Sequence, residues 1–178
     1  MPALVFAGSY EYEASKDHPF GQPNPDGHEN VIDFDGLIGE CECDSERRNP
    51  DGSWQEIVTM TWRWKYIMNG LAVQDETFTE SGFMAGSIRQ INPETGKWHV
   101  YYYSTGGAPD SLNAWIGGKV DDSIVLSQPQ TAPNGMEGFS RLTFYDISDA
   151  GFKWVGEWVD NLEAPNVVYP FWKIDCKR

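Results

Sequence analysis

From residue 31 onward, turn-forming residues interrupt the chain at strand-like spacing. Asn49-Pro50-Asp51-Gly52 places Pro second and Gly last, as a tight turn prefers. Asn69-Gly70, between apolar runs, reads as a two-residue hairpin signal. Asn92-Pro93-Glu94-Thr95-Gly96, Asp121-Asp122, Pro133-Asn134-Gly135 and Asp149-Ala150-Gly151 follow. The runs between them lie near 37–44, 54–67, 71–80, 85–91, 97–104, 113–120, 123–128, 138–147, 152–160 and 167–176. Connections long enough for a crossover helix are absent, so the expected sheet is antiparallel and in meander order.

Alternation within the runs assigns faces. Val58, Met60, Trp62, Trp64 and Tyr66 share one parity, while Thr59, Thr61, Arg63 and Lys65 share the other. Trp98, Val100 and Tyr102 oppose His99, Tyr101 and Tyr103. Phe152, Trp154 and Trp158 oppose Lys153 and Glu157, and Trp172, Ile174 and Cys176 share a face. One apolar face per strand fits a closed barrel or a two-sheet sandwich. The eight Trp, eight Tyr and nine Phe then crowd the inner faces. Ten strands close into a wider ring than eight, so the interior either encloses a cavity or is filled by these rings.

The chain of 178 residues suits one domain, read as an irregular Pro- and Gly-rich arm over 1–30 and a β-domain over 31–178. The arm is expected to pack across the barrel mouth or bottom, with a mobile tip. Thirteen Lys+Arg against 27 Asp+Glu give a formal net charge of −14, which argues against nucleic acid or anionic membrane as a partner. No apolar run approaches a membrane span. The opening residues Met1–Gly8 lack a basic n-region and a proper h-region, so the expected compartment is the cytoplasm. The three Cys are an odd number and imply no disulfide framework. Cys41 and Cys43 share a face of the first strand, and closure would bring Cys176 of the last strand near one of them. In a reducing compartment the expectation is three small buried hydrophobes.

The stretch Gly86-Ser87-Ile88-Arg89-Gln90-Ile91-Asn92-Pro93-Glu94-Thr95-Gly96-Lys97-Trp98 resembles the strand–turn–strand signature of the DUF1579-type lipocalin-like family, within the calycin group of barrels. Asn113–Lys119, Arg141–Ser148, Phe152–Trp154 and the terminal Arg178 extend the resemblance over roughly 35–178. The family's opening Leu-x-Gly-x-Trp is here Leu37-Ile38-Gly39-Glu40-Cys41, and its late Asp-Gly-Gly hairpin is replaced by Asp160–Asn166. The resemblance implies an all-β, antiparallel up-and-down barrel of eight to ten strands. It carries architecture further than activity.

Two arginines fall where an interior face is expected: Arg89, alternating with Ser87 and Ile91, and Arg141, alternating with Phe139, Thr143 and Tyr145. An interior Arg needs a partner, and Asp75, Glu76, Glu157 and Asp160 are candidates. Such a pair either fixes register or grips a ligand carboxylate. Trp62, Trp64, Tyr66, Trp98, Tyr102, Trp115 and Trp158 form the candidate aromatic wall, which serves equally as ordinary core. His18 and His28 lie ten apart in the arm and His99 sits on the face opposite Trp98, so no metal site is expected. Zincin, nucleophile-elbow, Walker and dinucleotide motifs are absent. The leading expectation is a small hydrophobic or aromatic ligand, with anions among the candidates, bound inside the barrel without a cofactor. The alternative is a cyclase, isomerase or decarboxylase acting by acid–base chemistry, with Tyr66, Tyr102, Asp75 and Glu157 as proton carriers. A third is an interaction protein that forms a homodimer through the Tyr101–Tyr103 face.

Overall fold

The computed structural model describes residues 10–108 and 110–178. Ten strands form a closed, all-antiparallel barrel, each hydrogen-bonded to its sequence neighbours, with the first joined to the last. They are β1 (Gly39–Arg47), β2 (Val58–Ile67), β3 (Ala72–Thr79), β4 (Met84–Asn92), β5 (Lys97–Ser104), β6 (Trp115–Val120), β7 (Ser123–Pro129), β8 (Phe139–Ser148), β9 (Gly151–Val159) and β10 (Val168–Lys177). The expected all-β, up-and-down architecture is therefore observed. Closure removes the unpaired sheet edges that an open meander would expose.

Strand direction alternates, so the connections fall into two sets. The β2–β3, β4–β5, β6–β7 and β8–β9 turns lie at one end, which the N-terminal segment covers. Two 3₁₀ turns, Glu29–Ile32 and Asp35–Leu37, drive Val31, Phe34 and Leu37 into this end, all three buried. The Phe34 ring meets Trp98 edge-on at 4.9 Å and stacks near Trp64 at 5.9 Å. Residues 31–38 thus belong to a plug rather than to the first strand. The arm does pack across the barrel bottom; its first nine residues, where the mobile tip was expected, lie outside the described residues.

The arm also alters the Asn69-Gly70 turn. Instead of a two-residue hairpin, β2 and β3 are joined through Met68–Leu71, with positive φ at Met68, Asn69 and Gly70. The Gly70 carbonyl accepts from Asn24 N–H at 3.0 Å, and Tyr12 N–H donates to Asn69 Oδ1 at 3.1 Å. A Cβ at Gly70 would collide with the Gln22 carbonyl oxygen, so the close approach of arm and turn requires glycine.

Register places Cys43 directly opposite Cys176 in the β1–β10 pair, and the two form a disulfide across the seam of the barrel. This corrects the expectation of three free thiols. An odd cysteine count hid a pair that only closure brings together. Cys41 is free and buried, and burial raises its thiol pKa despite the opposing influence of Arg178.

Candidate functional site

Above the plug, the barrel interior divides into a packed floor and a hollow. In the floor, Trp64, Tyr66, Trp98, Phe144 and Phe152 are fully buried. The Tyr66 hydroxyl lies 3.0 Å from Asp35 Oδ1 and 3.2 Å from the Val31 carbonyl. Burial, and then the Asp35 carboxylate, push its pKa far above the ordinary phenol value. Trp98 Nε1–H donates to Asp33 Oδ2 at 3.0 Å. Trp64, Tyr66 and Trp98 anchor the plug and do not line the hollow, whereas Phe144 also reaches its wall.

A buried ion pair caps the floor. Asp75 on β3 and Arg89 on β4 are joined through Arg89 Nη1, with side-chain exposures of 4% and 3%. Trp62 Nε1–H donates to the other Asp75 oxygen, Oδ2, at 2.8 Å. The guanidinium also lies over the rings of Trp64 at 4.3 Å, Phe34 at 5.1 Å and Phe144 at 6.0 Å. Arg89 offsets its desolvation through one carboxylate and three ring faces rather than by full hydrogen bonding, since its Nε has no partner among the described residues.

A cavity of about 320 Å³ opens above this pair. Its wall is mainly apolar, built from Met60, Trp62, Val100, Trp115, Leu142, Phe144, Trp154, Trp172 and Ile174. Polar groups are few. Trp115 Nε1–H donates to Ser140 Oγ at 3.2 Å and Trp172 Nε1–H to Ser45 Oγ at 2.8 Å. Ser87 and Thr77 add hydroxyls to the wall, and Tyr102 and Arg47, both exposed, stand where it meets solvent. A crevice of about 260 Å³ continues from the mouth beneath the β1–β2 and β3–β4 loops, sharing Arg47, Met60, Thr77, Ala85 and Trp172 with the cavity.

Of the nine expected ligand-contacting residues, the structure brings Trp62, Arg89, Tyr102 and Trp115 together around the hollow. Trp64, Tyr66 and Trp98 face inward but belong to the packed floor. Trp158 also faces inward, near the rim, where its Nε1–H donates to the Gln130 carbonyl at 2.9 Å and its ring packs over Gly138. Arg141 is a correction. It lies on the outer face, directly across from Glu157, with Nη2 2.8 Å from Glu157 Oε2. The parity of Ser140, Leu142 and Phe144 takes the inner face, so Phe139, Arg141, Thr143 and Tyr145 all face outward; beyond them register shifts between Tyr145 and Ser148, and Asp146 has positive φ. Ile147 therefore turns inward although it shares the sequence parity of Arg141, while Leu142 and Phe144 supply the inner face.

Arg47, Trp154 and Trp172 are the contributors with most consequence beyond the expected set. Arg47 is recognisable only as the next inward position after Cys41, Cys43 and Ser45 on an otherwise acidic strand. On the outer face, Tyr103 folds over Gly86 and accepts from Gln74 Nε2–H at 2.7 Å, and burial raises its pKa. His28 Nδ1 caps the first 3₁₀ turn by accepting from Asn30 N–H at 3.1 Å. No cluster of three or more metal-ligating side chains occurs among the described residues, and none of the helices there is long and apolar enough to cross a membrane. A scan against protein-family models finds none that matches, and a search of curated proteins returns no match.

Proposed function

We propose that this protein binds a small hydrophobic or aromatic molecule inside the barrel. The observation that carries this reading is the hollow itself: about 320 Å³ of space walled by indole and phenyl rings, blocked at one end and open at the other. Pockets of this size with a few placed polar groups suit small organic ligands. Flat rings bury flat apolar bodies, and hydroxyl and N–H groups orient them. The DUF1579-type resemblance, carried by Gly86–Trp98, belongs to this proposal and adds no activity of its own.

The acid–base alternative has less material. Tyr66 is packed in the floor and Glu157 is on the outside, while Asp75 is held by Arg89 and Trp62. Tyr102 is the remaining proton carrier of that set on the cavity wall. The compartment is also drawn away from the cytoplasm by the Cys43–Cys176 bridge, because such bonds persist in oxidising surroundings and are rare in the cytosol.

Titration with a panel of planar apolar molecules tests the proposal through intrinsic fluorescence. Trp62, Trp115, Trp154 and Trp172 line the hollow, so a bound ligand should quench saturably. Ala85→Phe projects a ring into the void and should weaken binding by roughly tenfold or more with little loss of stability, since it fills space rather than overpacking a core. Absence of quenching by every member of the panel would overturn the proposal.

A further inference from the structure

We infer that the ligand is an amphipathic monoanion, seated with its flat apolar body in the cavity and its anionic group turned outward onto Arg47. This rests on the cavity-binding reading above and specifies the ligand class. Among the described residues, three charged side chains line the hollow: Arg47, Asp75 and Arg89. Together they leave one positive charge, inside a protein whose formal net charge is −14.

That charge resides at Arg47. Asp75 neutralises Arg89 deep in the floor, where both are almost fully buried. Arg47 has no carboxylate within ion-pair distance among the described residues; its guanidinium carbon instead lies 3.9 Å from the centroid of the Trp172 ring. Stacking fixes the plane of the fork and leaves its N–H edges free to donate. Glu56 lines the adjoining crevice without pairing to it.

Desolvation decides which way round the ligand sits. An anion placed beside Arg89 would add a second negative charge to a site already neutral and nearly dry, and its lost hydration would go unrepaid. At Arg47 the anion keeps part of its hydration and meets an unpaired, planar, bidentate donor. The apolar body meanwhile loses water against Trp62, Trp115 and Trp154. A ligand entering with its apolar end first needs no charged group to cross the aromatic wall.

Two probes with nearly the same body separate charge from shape: anilinonaphthalene sulfonate, an anion, and phenylnaphthylamine, its neutral counterpart. The sulfonate should bind the native protein more tightly. Arg47→Gln should weaken the sulfonate by roughly tenfold, as for the loss of one partly solvated charge-assisted hydrogen-bonded pair, while the amine changes less than twofold. Arg47→Lys should recover part of the loss. Arg47 is exposed, so its variants should keep the native urea midpoint, which is measured alongside. If the amine binds as well as the sulfonate, or Arg47→Gln weakens both alike, the anionic class and outward orientation are overturned while the cavity reading stands. If neither probe binds the native protein, both are overturned.

Discussion

Asp75→Asn should destabilise the protein by about 3–5 kcal/mol, the usual cost of removing one partner from a buried ion pair. The substitution keeps the shape of the side chain and removes only its charge. Arg89 is then a nearly dry cation with no counter-charge, facing rings and a neutral amide, and one of the two oxygens that accept from Arg89 and Trp62 Nε1–H becomes a donor NH2. Urea unfolding followed by far-UV circular dichroism gives the number, with an unchanged denaturant slope confirming that native compactness is kept. Replacing both partners, Asp75→Leu with Arg89→Met, should recover most of the loss, because the remaining floor is apolar and aromatic. A single-variant cost below about 1 kcal/mol, the range of solvent-exposed pairs, would show that water reaches the pair and that the floor is not sealed.

Reducing the Cys43–Cys176 bond should lower stability by about 2–4 kcal/mol. The bond spans 133 positions of sequence, and chain-entropy reasoning gives roughly 5 kcal/mol for so long a loop when native strain is ignored. Much of the effect lies in the unfolded chain, which the bridge keeps compact. The denaturant slope should therefore rise on reduction, as more surface becomes exposed on unfolding. Thiol titration in denaturant checks the premise directly: one reactive thiol, Cys41, before reduction and three after it. Equal midpoints with and without reductant, once that thiol count is confirmed, would mean that the seam is held by strand pairing and packing alone.

Most of the barrel was legible because its signals are local. Val58–Ile67 shows its faces by strict alternation, and the turn clusters bound all ten strands to within a few residues. Asp75 was legible as a partner for Arg89 because an interior arginine demands one. Arg141 is not legible as an outer residue because both parities of β8 carry large apolar side chains, Phe139 and Tyr145 on one and Leu142 and Phe144 on the other, and only the packed core decides between them. Arg47 passed unnoticed because the residue it stacks on, Trp172, meets it only when the first and last strands pair. The plug has a signal of its own: Val31, Phe34 and Leu37 recur every third residue, the period of a 3₁₀ turn, at the start of the stretch that reads as the β-domain, just after the Pro- and Gly-rich arm.

The pairing of β5 with β6 spans three register positions, Trp98–Val100 against Gly117–Trp115, and in the connection between these strands residues 105–108 and 110–113 are exposed. A protease entering at that point would sever the backbone between Cys43 and Cys176. The two fragments would remain one covalent molecule, like a hoop cut once and still riveted at its overlap, migrating together on a gel until reductant separates them.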